Sequence, residues 1–185
     1  MSFKVISGFL FLALLSLACK KDDPVIPNEE ELITTLNYQL VPEAGGDTVV
    51  LSFKDIDGDG GNAPIITKGV LKPNTTYSGT LSLLNESVSP VGDITKEVNE
   101  ENEQHQFFFE KSSSLDAAIY YKDVDANADP LGLKTSLVTG ATSSGTLVIT
   151  LRHQPNKKAE GVSDGSITNA GGETDIEVLF NIAIE

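Results

Sequence analysis

Gly145-Thr146-Leu147-Val148-Ile149-Thr150-Leu151-Arg152-His153 sets Leu147, Ile149 and Leu151 on one side of a two-residue repeat, and Thr146, Val148 and Thr150 on the other. Successive side chains of an extended backbone point to opposite faces, so this spacing predicts a strand with one buried face. Ile176, Val178, Phe180, Ile182 and Ile184 repeat the pattern towards the C-terminus. Shorter matches precede it: Leu36, Tyr38 and Leu40; Val49, Leu51 and Phe53; Tyr77, Leu81 and Leu83; Phe107 and Phe109. Breakers separate them, among them Ala44-Gly45-Gly46-Asp47, Asp57-Gly58-Asp59-Gly60-Gly61, Lys72-Pro73-Asn74, Pro130, Gly140 and Gly171-Gly172. About eight to ten strands at such spacing predict an all-β fold, an antiparallel β-sandwich of immunoglobulin-like or Greek-key type, and argue against βαβ units.

Little helix is expected. Asn28 with Glu31 three places on fits a capping box for a turn or two. Ile94 to Gln106 is rich in Glu and Asn, yet the β-branched Ile94, Thr95 and Val98 favour a strand, then an acidic turn, then a return strand through Phe107 to Phe109.

The N-terminus reads differently from the rest. Lys4 lies in a short polar start, Val5 to Ala18 are almost all apolar or small, and Cys19 follows at once. Val5 to Ala18 at ~1.5 Å per residue cover about 21 Å as a helix, short of the ~20 residues that a transmembrane span needs. The layout is that of a secretory signal with a small residue before the cut. Leu15-Ser16-Leu17-Ala18-Cys19 resembles a bacterial lipobox, with Ser16 where Leu is usual. That resemblance implies that Cys19, the only cysteine, becomes an acylated N-terminus, and it leaves no thiol for an intrachain disulfide. Lys20-Lys21-Asp22-Asp23 resembles the Lys-plus-acid signal that sends Bacteroidota lipoproteins to the cell surface. Pro24, Pro27 and Glu29 to Glu31 then suit a stiff polar spacer. The expected organisation is a signal peptide over 1–18, a lipidated tether over 19–31 and one sandwich domain over 32–185.

The formal charge of −14 (27 Asp and Glu against 13 Lys and Arg) sets the field around this chain, and loss of Lys4 with the signal deepens it. Such a field repels phosphate backbones, and Arg152 is the sole guanidinium, so nucleic-acid binding is excluded as a role. Attraction to cations and solubility at a crowded surface remain.

Two acidic loops carry the best cation signal. Asp55-Ile56-Asp57-Gly58-Asp59-Gly60-Gly61-Asn62 and Asp123-Val124-Asp125-Ala126-Asn127-Ala128-Asp129-Pro130 each present side-chain oxygens at alternate positions. Calcium takes about six to eight oxygens and is served by such spacing, so Asp55, Asp57 and Asp59, and Asp123, Asp125, Asn127 and Asp129, are candidate calcium ligands. The first loop opens like an EF-hand but has Ile66 where the closing Glu belongs, which excludes that motif. The same residues also build ordinary hairpin turns. A rival site pairs His105, which follows Glu97, Glu100, Glu101 and Glu103, with His153 at the end of the quoted strand. Two imidazoles and one carboxylate suit zinc or another transition metal.

Other motifs carry less. Gly161-Val162-Ser163-Asp164-Gly165 fits the hydrolase nucleophile elbow, but no histidine follows His153 to complete a triad in that order. Gly58 to Ala63 fits a dinucleotide fingerprint, yet Asp59 would face the phosphates and Pro64 stands where a helix should begin. Asp47-Thr48-Val49 resembles the Bacteroidota O-glycosylation motif, with Thr48 as acceptor, and equally suits the start of a strand.

Taken with the N-terminus, Asp55 to Gly61, Glu97 to Phe109, Leu151 to Lys157 and Ile167 to Asp175 resemble a group of small Bacteroidota lipoproteins. Some of these carry a type 1 periplasmic binding fold label, which implies two α/β lobes rather than the alternation seen here. The resemblance implies an outer-membrane, lipid-anchored, surface-facing protein; because the sequence proposes no nucleophile–base pair, the expected role is not enzymatic, with a hydrolase the distant alternative. The resemblance further implies a ligand-binding or accessory module working beside a TonB-dependent outer-membrane receptor; the alternative reading of these residues is a purely structural surface protein with calcium-stiffened loops.

Overall fold

The computed structural model describes residues 32–58 and 61–185. The expected signal peptide, tether, capping box, Cys19 and Asp59 lie outside the described residues.

Alternation becomes two packed sheets. One sheet has seven strands: β1 (Thr35–Pro42), β2 (Val49–Lys54), β3 (Ile65–Ile66), β5 (Thr76–Asn85), β6 (Gly92–Asp93), β8 (Ala117–Tyr121) and β9 (Lys134–Thr139). Its order is β3-β2-β1-β5-β9-β8, with β6 on the end of β5. The other has four, β4 (Gly69–Leu71), β11 (Glu173–Ile184), β10 (Ser143–His153) and β7 (His105–Lys111), in that order. All ladders are antiparallel except the short one between β4 and β11. β1, β2 and β3 are consecutive antiparallel neighbours, and β5 returns beside β1, which is a Greek-key arrangement. The fold is an all-β sandwich.

Inward residues come from the positions that the alternation marks. Leu36, Tyr38 and Leu40 of β1 and Tyr77, Leu81 and Leu83 of β5 face Leu147, Ile149 and Leu151 of β10 and Ile176, Val178, Phe180, Ile182 and Ile184 of β11 in one core. Each such side chain contributes about 1.5–3 kcal/mol by leaving water. β4 closes one edge of the sandwich. A Cβ on Gly69 would press on the terminal methyls of Leu51 in the first sheet and Ile182 in the second, so a larger residue would force both to shift.

The stretch expected as a strand before the acidic turn is a helix. α1 runs Ile94–Glu100, followed by a 3₁₀ turn over Asn102–Gln104 that leads into β7. The Asp93 side chain caps α1 by accepting the Lys96 N–H at 3.2 Å. Ile94 and Val98, four apart on one helical face, are its buried residues. A strand would have put Lys96 on the buried face with them, whereas the helix turns it to solvent.

A long segment between β10 and β11 lies against the outer face of β7. Val162 and Ala170, with Ala159 and Ile167, pack on Phe108. The Gln106 side-chain amide donates to the Val162 carbonyl at 3.0 Å. β7 is therefore buried on both faces, which is why four consecutive residues, His105 to Phe108, are inaccessible.

Under β5, the Tyr38 ring occupies the space that a side chain at Gly79 would need. A Cβ there would lie 2.6 Å from the Tyr38 hydroxyl and closer still to Thr135 Oγ1. That hydroxyl and Thr135 Oγ1 are hydrogen-bonded at 2.6 Å, and burial pushes the Tyr38 pKa up to about 12. Gly79→Ala is expected to lower stability by about 1–3 kcal/mol through overpacking, against under about 0.5 for the exposed neighbour Ser78→Ala. Urea unfolding midpoints measure both, and equal midpoints would refute the tight fit.

Candidate functional site

The two histidines meet because of strand register. β10 and β7 pair with His153 directly opposite His105, on the face that also carries Leu151 and Phe107 into the core. The two rings stand 4.6 Å apart between centroids. On the other flank of β10, Leu151 pairs with Ile176 but Arg152 pairs with Thr174, so the ladder skips Asp175 at a bulge. Strict alternation would turn Asp175 away from the core side used by Ile176. The bulge re-aims it, as bulges do. Its carboxylate sits 3.7 Å from His105 Nε2 through one oxygen and 3.7 Å from His153 Nδ1 through the other.

The cluster is nearly dry: the His105 side chain is 0 % exposed and Asp175 2 %. His105 is oriented by the end of α1. Its Nδ1 lies 3.1 Å from the Glu101 carbonyl, which can only accept, so Nδ1 carries the hydrogen. Nε2 then presents its lone pair towards Asp175, and this buried nitrogen has no hydrogen-bond partner among the described residues. Burial, the largest influence, lowers the His105 pKa, and the nearby His153 and Lys157 push it the same way. A shallow cleft of about 300 Å³ lined by His153, Gln154, Gly172 and Glu173 opens beside the cluster. Gly172, with φ of 71°, lets its chain approach the His153 carbonyl so closely that a Cβ would collide with it.

The second acidic loop is closed from within the protein. Lys157 reaches into it with an ammonium 2.8 Å from Asp125 Oδ2, 2.7 Å from the Asn102 carbonyl and 3.3 Å from the Pro130 carbonyl. The other Asp125 oxygen accepts the N–H groups of Asn127 (2.8 Å) and Asp129 (2.9 Å). Burial acts most strongly on Asp125 and pushes its pKa up. The Lys157 ammonium and the two N–H groups outweigh it together and hold the carboxyl below the ordinary range. Lys158 pairs with Asp129 at 2.8 Å, and Asp123 accepts the N–H groups of Gly132 (2.8 Å) and Lys134 (2.9 Å). A lysine ammonium thus stands among the oxygens that the sequence offers to calcium. The spacing within the loop marks neither lysine, because both come from beyond β10.

In the first loop, Asp55 accepts the Gly58 N–H at 3.0 Å, and one Asp57 oxygen takes both the backbone N–H (2.9 Å) and the side-chain amide (2.7 Å) of Asn62. A Cβ on Gly61 would meet the Asp57 carboxylate, so a side chain there would displace Asp57 from its bonds to Asn62. Among the described residues, no carboxylate of either acidic loop joins the cluster of the two histidines. Ser163 lies within consecutive turns between Gly161 (φ 80°) and Gly165 (φ 94°), not on a strand-to-helix elbow.

No protein-family model, curated protein or solved structure matches this chain.

The Lys157–Asp125 pair, with side chains 5 % and 1 % exposed, joins three segments that are remote in sequence. Lys157→Met leaves a buried carboxylate uncompensated and is expected to cost about 3–5 kcal/mol. Adding Asp125→Asn should recover part of that loss. Denaturant unfolding of the four proteins of the cycle measures the coupling, and additive losses would show that the two groups act independently.

Proposed function

We propose that this protein is a non-enzymatic accessory module of the bacterial cell envelope, tethered to the outer membrane through lipid on Cys19 and facing the exterior. Among the described residues no helix is long and apolar enough to cross a membrane, so in this reading attachment belongs to the N-terminus. Acyl chains contribute about 0.8 kcal/mol per buried CH₂, and a multiply acylated cysteine holds its protein on the bilayer. The resemblance to small Bacteroidota lipoproteins supports both the anchor and the surface address.

The observation that carries the binding role is an apolar edge on an otherwise acidic protein. β3 borders the first sheet and β4 the second, each paired on one side only. Ile65 of β3 is 71 % exposed, and Ile66 of β3 and Val70 of β4 are exposed with it. Exposed aliphatic side chains on strand edges are a liability unless a partner covers them. A TonB-dependent outer-membrane receptor is the partner that the family resemblance favours.

Two measurements test this reading separately. Cells fed an alkyne fatty acid should label the protein, and Cys19→Ala should abolish the label and release the chain from membranes or block its processing; a label that persists in Cys19→Ala overturns the anchor. A photo-crosslinking residue at position 65 should form an adduct in intact cells with an outer-membrane β-barrel protein, and one at the exposed Tyr120 on β8 should not. Equal adducts from both positions, or none from either, overturn the docking edge.

A further inference from the structure

We propose that His105, His153 and Asp175 bind a divalent transition metal of the zinc class, joining β7, β10 and β11 at the end of the four-stranded sheet. This goes beyond the anchoring and docking reading and does not depend on it.

Four observations converge on the site. The ligand atoms already cluster, with one nitrogen from each imidazole and a carboxylate oxygen all within 4.8 Å of one another. Each imidazole has a nitrogen 3.7 Å from a different oxygen of the Asp175 carboxylate, so the carboxylate faces both rings at once. The orientation of His105 is that of a ligand: Nδ1–H is spent on the Glu101 carbonyl, which fixes the tautomer and points the Nε2 lone pair inwards. Facing that lone pair is a carboxylate oxygen in a dry site. Two electron-rich atoms so placed are reconciled by a proton or a metal ion between them, and the site offers a metal the same place as a proton. Finally, the carboxylate is there because a bulge turns it inwards, although the regular ladder would have put it on the opposite face.

Donor chemistry selects the metal. Imidazole nitrogen with a single carboxylate suits zinc, cobalt, nickel or copper, and is foreign to calcium and magnesium, which take oxygen. Three protein ligands leave a fourth position, and the cleft beside His153 and Glu173 gives water or a small anion a route to it.

The chain simplifies its own test. It contains two histidines in all, and its only thiol is Cys19, so nitrogen ligation of a metal by imidazole must run through this cluster. The full chain, purified in mild detergent and stripped with chelator, is titrated with Co²⁺ and followed by visible absorption. We expect one equivalent to produce the intense d–d bands of a low-coordinate Co²⁺ site, bleached by Zn²⁺ and unchanged by Ca²⁺ or Mg²⁺. Asp175→Asn and His153→Gln should each weaken binding by more than the roughly tenfold to hundredfold that loss of an outer-shell partner costs, and Glu110→Gln, exposed on β7, should not. Circular dichroism checks that the variants fold. A measurement on the unaltered chain stands beside them, because both pairs of imidazole ring resonances should shift together by NMR when Zn²⁺ is added. Absence of the Co²⁺ bands, rings that do not respond to Zn²⁺, or full affinity in folded Asp175→Asn overturns the site.

Discussion

β10 is the strand on which the structure depends. It is paired along both flanks, with β11 from Ser143 to His153 and with β7 from Leu147 to His153. Its Leu147, Ile149 and Leu151 face the seven-stranded sheet across the core, so its register cannot slip by one residue without exchanging these for Val148 and Thr150. Everything at its far end follows from that fixed register. His153 stands opposite His105, the ladder with β11 breaks after Leu151, and Asp175 turns to meet both rings. A chain that fixes its hydrophobic pairing this firmly can hold three polar side chains in its interior at one rim, because the neighbouring pairs supply the stability that those groups cost.

The strong negative charge of the chain is handled by placing its few cations where they matter. Lys157 is buried and Lys158 sits beside it, and between them they engage two carboxylates of the second acidic loop. Lys157 also binds carbonyls in the 3₁₀ turn before β7 and in the loop that ends at Pro130. The segment that covers the outer face of β7 therefore begins with an electrostatic tie and continues with the apolar contacts of Val162 and Ala170 on Phe108. A buried ion pair is weak evidence for net stability, but removing one member leaves the other stranded, and that is how such a pair fixes the path of a chain. Here the path carries the covering segment over β7 and delivers Gly172 to its close approach with the His153 carbonyl.

β1, β2, β5, β10 and β11 were legible in the sequence because a period of two, kept over five or more residues, fits a half-buried strand and little else, whereas β8 and β9 and the two- and three-residue strands carry no such run. The helix at Ile94 was not legible either, and the reason is geometric. Residues four apart share a face in a helix and in a strand alike, so Ile94 and Val98 satisfy both geometries. Lys96 decides between them, since only the helix keeps it out of the core, and Asp93 adds a cap whose bond to the Lys96 N–H shows in the structure. The two histidines were visible as residues but not as neighbours, because register between strands separated by more than about thirty residues is a tertiary fact. Asp175 was hidden for a sharper reason. It sits one place before Ile176, and the alternation assigns it to the opposite face. Only a bulge brings it inwards, and nothing in Glu173-Thr174-Asp175-Ile176 marks one.

The same bulge explains why a strongly polar group could be built into the rim without loosening the sheet. Downstream of it, Ile176 to Ile184 keep their inward faces, and upstream Glu173 and Thr174 resume pairing with His153 and Arg152. The irregularity is confined to one residue, and Gly172, just upstream, bends the chain towards the His153 backbone. His105 is steadied from the other side, where the Glu101 carbonyl at the end of α1 holds its Nδ1–H. The helix that the alternation concealed and the bulge that it could not announce thus serve one place in the fold. Each is a local departure from the period of two, and each supplies an element that the flat ladder between β7 and β10 lacks: one orients a ring, the other brings in a carboxylate. A sandwich held by regular alternation elsewhere concentrates its departures where its only imidazoles meet, and that concentration gives the rim a chemistry that the rest of the sheet does not have.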